Sequence, residues 1–405
     1  MRTSFLFMLS FICLLLGCRK VNNDCNDSEY PDAPQSNWFF SYGGSGEESH
    51  GHFILTCQDG GYLQVGETGF IPNSAKILVV KTDQNGGLLW KKEFSGGTGH
   101  NMGNSAYESE DGYLICGSMN QNSSLIKLNK MNGSLIFEKI HDNGGSDAYE
   151  HIALSPNGTL IAVGYKNADD GNNTFFTDGK GHISILDSDG NKINGIDLQN
   201  HMAQAYRIKK LDNDFVISGL KEGATDYALI KINSEGDLIW SKAFGGSNSD
   251  HCFGMDISSD GGVFVTGHTL SGTENWDTYT MKIDVSGNQL WESKKGNPRG
   301  FDPKYIHDEA WGVRGTTDGG CIVVAGTGDE YSSYKRRCGD NGDNSNIWHV
   351  YLIKYDASGD VEWQKTYGDP DGGSWAGEDI TITPDGSAVV AVDNASFGFL
   401  KTGTF

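Results

Sequence analysis

A unit of about 50 residues recurs along this chain, and this repetition restricts the possible folds more than any other feature. Each unit has a turn rich in Asp, Asn and Gly that is followed by a short apolar run. The seven turns begin at Asp59, Asp111, Asn157, Asp212, Asp260, Asp318 and Asp385, with spacings of 52, 46, 55, 48, 58 and 67 residues. The chain is therefore expected to repeat one structural unit seven times.

The second half of each unit carries the pattern Asp/Asn-x-x-Gly-x-x-x-Trp, usually just after a strand-like run that contains a Lys. Complete copies run from Asp83 to Trp90, Asn233 to Trp240, Asp284 to Trp291 and Asp356 to Trp363. Weaker copies begin at Asn129 and Asp187. Each unit thus offers four short strands joined by tight turns. One such sheet cannot bury both of its faces, whereas a closed ring of sheets can.

The two ends of the repeat region complement each other. The seventh unit stops at Phe405 after its third strand, and the missing fourth strand is found before the first unit. Residues 38–44 (WFFSYGG) match residues 240–246 (WSKAFGG). We therefore predict an all-β fold, a single seven-bladed β-propeller over residues 37–405, in which the N-terminal strand completes the last blade. A β-solenoid, the alternative for a repeat, needs no complementary ends.

The Trp-containing turn resembles the tryptophan-docking motif of quinoprotein-type propeller repeats, over nearly all of residues 37–405. This resemblance implies that Trp90, Trp240, Trp291 and Trp363 dock between blades. The full Ala-x-Asp-x-x-Thr-Gly turn of that family is absent, and no cofactor site can be carried over. In outline, a lipid-anchored propeller of this kind also resembles the propeller subunit of the outer-membrane barrel assembly machinery, which is a binding scaffold.

The N-terminus has the features of a bacterial targeting segment. A positive start is followed by an apolar run over residues 5–16 that is too short to span a bilayer. The sequence Leu15-Leu16-Gly17-Cys18 resembles the lipobox of bacterial lipoproteins, although Leu16 is bulkier than usual. The resemblance implies removal of residues 1–17, lipidation of Cys18 and a flexible tether over residues 18–36. An ordinary secretory signal is the alternative.

The expected location is therefore the bacterial cell envelope, with the protein held in the outer membrane through its lipid and the membrane face left open. The formal net charge of −22 argues against nucleic acid as a partner, because phosphates require a basic surface. Cys57, Cys116 and Cys321 fall in or beside apolar runs and are predicted core residues. Cys25 and Cys338 lie in polar segments and could form a disulfide in an oxidising compartment.

Histidines, carboxylates and tryptophans recur where the innermost strands of the propeller should begin, and we call that side of the ring the upper face. The candidate channel-mouth residues are His50, His100, His201, His251, His307, Asp250, Asp308, Glu309, Trp311, Trp375 and Glu378. Such a group could hold a metal or bind a sugar through aromatic and polar contacts. Alternatively, the repeat itself requires a polar cap here, with Asp147, Asp250 and Asp308 accepting hydrogen bonds from backbone N–H groups.

Irregular insertions are expected on the same face, at residues 165–181, 296–305, 326–346 and 368–374. Asp340 and Asp343 are possible Ca²⁺ ligands, and Ca²⁺ is the one cofactor considered, but no EF-hand pattern is present. Solvated turns rich in Asn, Asp and Gly are the favoured explanation of the same composition.

No common catalytic motif occurs, so a non-enzymatic role is favoured. The leading hypothesis is a lipid-anchored binding or scaffold protein of the cell envelope, whose partner is another protein or a glycan. The alternative is a carbohydrate-active enzyme, a polysaccharide lyase or glycoside hydrolase, that uses the His and carboxylate group at the channel mouth.

Overall fold

The computed structural model describes residues 30–69, 75–97, 101–168, 179–330 and 344–405. These ranges contain 28 β-strands in seven four-stranded antiparallel sheets, one for each predicted repeat. The predicted all-β class and blade number are therefore confirmed. Among the described residues, no helix has the length and apolar character needed to cross a membrane.

The strands follow one another in chain order within each blade, except that β1 (Ser36–Ser41) belongs to the last. Blade one contains β2 (Ser49–Thr56), β3 (Tyr62–Thr68), β4 (Lys76–Thr82) and β5 (Leu88–Phe94). Blade two contains β6 (Asn101–Glu108), β7 (Tyr113–Met119), β8 (Asn122–Leu128) and β9 (Leu135–His141). Blade three contains β10 (Ser146–Leu154), β11 (Leu160–Ala168), β12 (Lys180–Leu186) and β13 (Lys192–Asp197).

The remaining blades repeat this arrangement. Blade four contains β14 (Met202–Leu211), β15 (Asp214–Lys221), β16 (Tyr227–Ile232) and β17 (Leu238–Phe244). Blade five contains β18 (Asp250–Ile257), β19 (Val263–Thr269), β20 (Asp277–Ile283) and β21 (Gln289–Lys295). Blade six contains β22 (Ile306–Gly315), β23 (Cys321–Asp329), β24 (His349–Tyr355) and β25 (Val361–Tyr367). Blade seven contains β26 (Ala376–Ile382), β27 (Ser387–Asp393), β28 (Gly398–Thr404) and β1.

The first strand of each blade lies at the centre of the ring. Strands β2, β6, β10, β14, β18, β22 and β26 each contact the next, and β26 contacts β2. Apolar side chains fill the spaces between neighbouring blades, and Cys57, Cys116 and Cys321 are buried there as predicted. The seven sheets therefore close around a central channel lined by these innermost strands.

The N-terminal strand closes the ring as predicted. β1 pairs antiparallel with β28, and the Phe39 ring stacks on Trp375 at a centroid distance of 4.0 Å. Residues 30–35, which the sequence placed in the tether, also contact the propeller. Ala33 is buried, and the hydroxyl of Tyr367 donates a hydrogen bond to the Pro34 carbonyl at 2.7 Å. This part of the predicted tether is thus packed against blade six.

In blades one, four and five, the Trp of the repeat connects its blade to the next, in agreement with the predicted docking. Indole N–H groups of Trp90, Trp240 and Trp291 donate to the carbonyls of Lys130, Val285 and Ala357, at 3.1, 3.2 and 3.2 Å. Each acceptor lies in the Asp/Asn-x-x-Gly turn of a neighbouring blade. Gly359 in such a turn has φ 88°, and a Cβ there would lie 2.6 Å from the Trp291 ring. Glycine is therefore required for both conformation and space.

The repeated Lys pairs with an Asp of the first turn in six blades. These pairs are Lys81–Asp59 (2.8 Å), Lys127–Asp111 (2.8 Å), Lys231–Asp214 (3.0 Å), Lys282–Asp260 (2.7 Å), Lys354–Asp318 (2.8 Å) and Lys401–Asp385 (3.5 Å). In blade three, Ile185 and Asn157 occupy the two positions. Because the charged residues are replaced together, the pair behaves as one element of the repeat. A buried ammonium group needs a counter-charge.

We expect these pairs to make the propeller sensitive to acid. The hydrogen bond from Lys282 holds the pKa of Asp260 at about 2, below its ordinary value of 3.8. This carboxylate therefore stabilises the fold above pH 3.8, and its contribution is lost as the pH falls towards 2. Because Asp260 is largely exposed and screened by solvent, Asp260→Asn should lower the free energy of unfolding at pH 7 by only about 1 kcal/mol.

Urea unfolding between pH 5 and pH 2 measures this effect. The difference in free energy between the wild type and Asp260→Asn should shrink as the pH falls from 4 to 2. Asp371→Asn makes the same charge change at an exposed position and serves as the control. If the difference in free energy of unfolding stays constant over this pH range, the stabilising role of the ionised Asp260 carboxylate is contradicted.

Candidate functional site

Every innermost strand contains a β-bulge at the same height. At this height, one residue of each innermost strand has no partner residue on the second strand of its blade. These residues, which we call the bulge ring, are His52, Asn104, Glu150, Tyr206, Phe253, Trp311 and Glu378. A bulge redirects a side chain and is frequent beside functional sites. Seven bulges at one height therefore define a single ring around the channel.

One side of the bulge ring is aromatic. The ring centroids of Tyr206 and Phe253 are 5.0 Å apart, and those of Phe253 and Trp311 are 4.3 Å apart. His251, His268 and Trp276 extend this surface, with centroid distances of 4.7 Å between His251 and Trp276 and 4.9 Å between His268 and Trp276. We call these six residues the aromatic arc. Burial lowers the pKa of His251 to about 4 and that of His268 to about 3, so both rings are neutral at pH 7.

The opposite side of the bulge ring is polar, and we call His52, Glu150 and Glu378 the polar arc. Burial lowers the pKa of His52, but the adjacent Glu67 carboxylate outweighs this effect and raises it to about 9. Burial raises the pKa of Glu378 to about 8 and that of Glu150 to about 7. At pH 7 the polar arc therefore contains a charged imidazolium and a largely protonated carboxyl group, which both donate hydrogen bonds.

Three of the predicted histidines lie at the channel mouth. His50 Nδ1 is 3.0 Å from Asp393 Oδ2, and this hydrogen bond raises the pKa of His50 to about 9. His251 belongs to the aromatic arc. His307 Nδ1 is 3.1 Å from Glu309 Oε1. Burial lowers the pKa of His307, but the hydrogen bond and charge of Glu309 outweigh burial and raise it.

The predicted aspartates serve the backbone instead. Asp250 Oδ2 accepts a hydrogen bond from the Gly246 N–H at 2.7 Å, and Asp308 Oδ2 accepts one from the Asn297 N–H at 2.6 Å. Asp147 caps Asn143 in the same way at 3.0 Å. Both Asp250 and Asp308 are fully buried. The capping alternative therefore describes these carboxylates, and they take no part in the channel surface.

Two further predicted residues lie away from the channel. His201 Nδ1 is 3.0 Å from the Ser241 hydroxyl of the outermost strand β17. Trp375 is buried against Phe39 in the core between blades six and seven. His100, Asp340, Asp343, Cys18, Cys25 and Cys338 lie outside the described residues.

The structure adds residues that the sequence analysis did not single out. His52, Tyr206 and Phe253 join the site through the bulges, and His268 and Trp276 join through the second strand of blade five and its following loop. One signal was available, because each bulge residue follows the capping position by three, as Phe253 follows Asp250 and Trp311 follows Asp308. Glu330, just after β23, also lies with His307 and Glu309, and donor atoms of the three residues are within 4.8 Å of one another.

No protein-family model matches the sequence, and no curated protein matches it either. Solved structures match through their fold. Hydrazine synthase of Kuenenia stuttgartiensis aligns with a TM-score of 0.59 and 10% identity over 88% of this chain and 96% of that chain. A streptogramin B lyase aligns with a TM-score of 0.56 and 16% identity over 90% and 98%. A catalytically inactive virginiamycin B lyase of Staphylococcus aureus with quinupristin gives 0.55 and 13% over 90% and 98%. At these identities the matches establish the β-propeller fold alone.

Proposed function

We propose that this protein is a lipid-anchored binding protein of the bacterial cell envelope, whose channel mouth on the upper face binds a saccharide. The observation that carries this proposal is the bulge ring, in which an aromatic arc faces a polar arc. A sugar ring offers C–H groups on its faces and hydroxyl groups around its edge. An aromatic surface can pack against the C–H groups, and convergent polar groups can form hydrogen bonds with the hydroxyl groups.

The charges of the site suit hydroxyl groups, which both donate and accept hydrogen bonds. His52 and the protonated form of Glu378 supply donors. Burial raises the pKa of Glu150 to about 7, so this carboxyl group is partly ionised at pH 7 and supplies an acceptor. The net charge of −22 and the carboxylates at the mouth disfavour acidic polysaccharides. A neutral or amino-containing glycan is therefore the expected ligand.

A glycan array probed with the full-length protein in detergent tests this proposal. Saturable binding to neutral or amino-containing glycans, with little binding to uronate-rich ones, is the expected result. Absence of glycan binding, together with a stoichiometric envelope protein in native pull-downs, would favour a protein partner instead. The exposed side chains of Leu89, Ile136 and Ile239 on the outermost strands would offer apolar contact for such a partner.

The lipid anchor is tested by labelling with a fatty acid in a bacterial host. We expect the wild-type protein to incorporate the label and to sediment with membranes, because a thiol at position 18 accepts the lipid. Cys18→Ser should lose both properties. Cys25→Ser, which removes another thiol seven residues later, is the matched control and should keep them. Incorporation that persists in Cys18→Ser would exclude the lipobox assignment.

A carbohydrate-active enzyme is the second candidate, and the polar arc favours it. Glu378 has a raised pKa and lies in the electrostatic field of His52, which is an arrangement that can supply a general acid. Chromatography of bound glycans after long incubation would reveal cleavage. Cleavage that is abolished in Glu378→Gln, with glycan binding retained, would establish the enzyme.

A further inference from the structure

Three metal-ligating side chains meet on the upper face of blade six, beside the aromatic arc. His307 and Glu309 belong to β22, and Glu330 follows β23. One donor atom from each residue lies within 4.8 Å of the donors of the other two. This group is separate from the bulge ring, and neither arc contains any of its members.

The backbone explains why these side chains converge. His307 and Glu309 are two residues apart on one strand, so their side chains point to the same face of the sheet. His307 stands opposite Gly328 on β23, and Glu330 follows Gly328 by two residues. Glu330 therefore continues the same face. The indole of Trp348 packs directly against Gly328, where a Cβ would lie 2.5 Å from it, and its ring centroid lies 6.5 Å from that of His307.

We propose that His307, Glu309 and Glu330 bind a divalent transition-metal ion, with Zn²⁺ as the first ion to test. One imidazole nitrogen and two carboxylates form a ligand set that Zn²⁺ and Mn²⁺ accept, whereas Ca²⁺ prefers six or more oxygen ligands. Three protein ligands leave a coordination position for a water molecule or for an oxygen atom of a bound ligand.

Two of the three side chains are largely buried, which orders them, and the third is exposed, which gives the ion access from solvent. The side chains of His307 and Glu309 are 9% and 21% exposed, which restricts their rotamers before the ion arrives. Glu330 is exposed and forms the side of the site that faces solvent. A partly formed site with an open side meets the structural conditions for metal binding. This inference does not depend on the proposed saccharide, because the ion binds protein ligands alone.

Isothermal titration calorimetry with Zn²⁺ tests the proposal. The full-length protein is purified in detergent without a histidine tag and is stripped of metal with a chelator. We expect one Zn²⁺ ion per chain, and Glu330→Gln should raise the Kd about 30-fold or more, as loss of one of three ligands implies. Glu274→Gln makes the same charge change at an exposed position on the upper face of blade five and should leave the Kd unchanged.

A second measurement identifies the nitrogen ligand. Cu²⁺ binds such sites tightly, and its electron paramagnetic resonance spectrum shows the coupling to a coordinated imidazole nitrogen. This coupling should disappear in His307→Asn. His307 is buried, so its substitution could also disturb folding. Glu330 is exposed, so Glu330→Gln tests metal binding without this complication. Absence of stoichiometric Zn²⁺ binding, or a Kd in Glu330→Gln within about threefold of the wild-type value, would overturn the proposal.

Discussion

Removal of residues 1–41 should lower the midpoint of thermal unfolding by about 5–10 °C, because it takes away β1, the outermost strand of blade seven. The lost interactions include the ladder to β28 and the stacking of Phe39 on Trp375. We estimate the loss at about 5 kcal/mol, from the burial of large aromatic side chains.

The same deletion should loosen the contact between blades seven and one. A Cβ on Gly86 of blade one would lie 2.6 Å from the Phe40 ring and 3.1 Å from Trp38, so both of these deleted side chains pack against the Gly86 turn. The strand thus holds the two ends of the ring together. Its loss affects the closure of the ring as well as one blade.

Differential scanning calorimetry of the wild type, the two deletions and Phe39→Ala tests this expectation. Removal of residues 1–29 leaves β1 complete and should change the midpoint by less than about 2 °C. Phe39→Ala should give an intermediate decrease, because it removes the stacked ring and retains the strand. Equal midpoints for the two deletions would show that β1 contributes little to closure.

Trp311→Ala should weaken the proposed saccharide binding at the channel mouth by about 30-fold or more, which corresponds to about 2 kcal/mol. Trp311 lies on the bulge of β22, and its ring centroid is 4.3 Å from that of Phe253. The residue is only partly buried, so part of its surface remains open to the channel. Its removal should therefore affect a ligand more than the fold.

Two matched variants make this test specific. Trp311→Phe keeps an aromatic ring and should retain binding within about fivefold of the wild type. Phe137→Ala removes a half-buried aromatic residue from the outermost strand β9, far from the channel, and should leave binding unchanged. Titration with the glycan that binds best on the array gives the Kd values. Unchanged binding in Trp311→Ala would place the ligand away from the aromatic arc.

The fold could be predicted because its information is local and repeated. The Asp/Asn-x-x-Gly-x-x-x-Trp pattern predicts a tight turn through its Gly and a contact with the next blade through its Trp. The hydrogen bond from Trp291 to Ala357 is an example of such a contact. The match between residues 38–44 and 240–246 then identified the strand that closes the ring. The number of blades and the closing strand could both be inferred without knowing any distance between remote residues, because every repeat folds in the same way.

The candidate site could be predicted only in part. His251, His307, Glu309, Trp311 and Glu378 lie at or beside the channel mouth, as their repeat positions indicated. His201 and Trp375 occupy similar sequence positions and are found elsewhere. A shared position in the repeat specifies the height of a residue, but not the direction of its side chain.

From sequence alone, periodic turns, alternating apolar runs and complementary ends specify seven blades, the order of the strands and the way the ring closes, because each of these depends on short-range pattern. The composition of the bulge ring and the pairing of His251 with His268 arise in three dimensions. A bulge reverses which side of a strand its next residues occupy, and that reversal depends on hydrogen bonding to the neighbouring strand. For this reason the aromatic and polar arcs become visible only in the folded protein. The meeting of Glu330 with His307 and Glu309 becomes visible there too, because it depends on the pairing of β22 with β23.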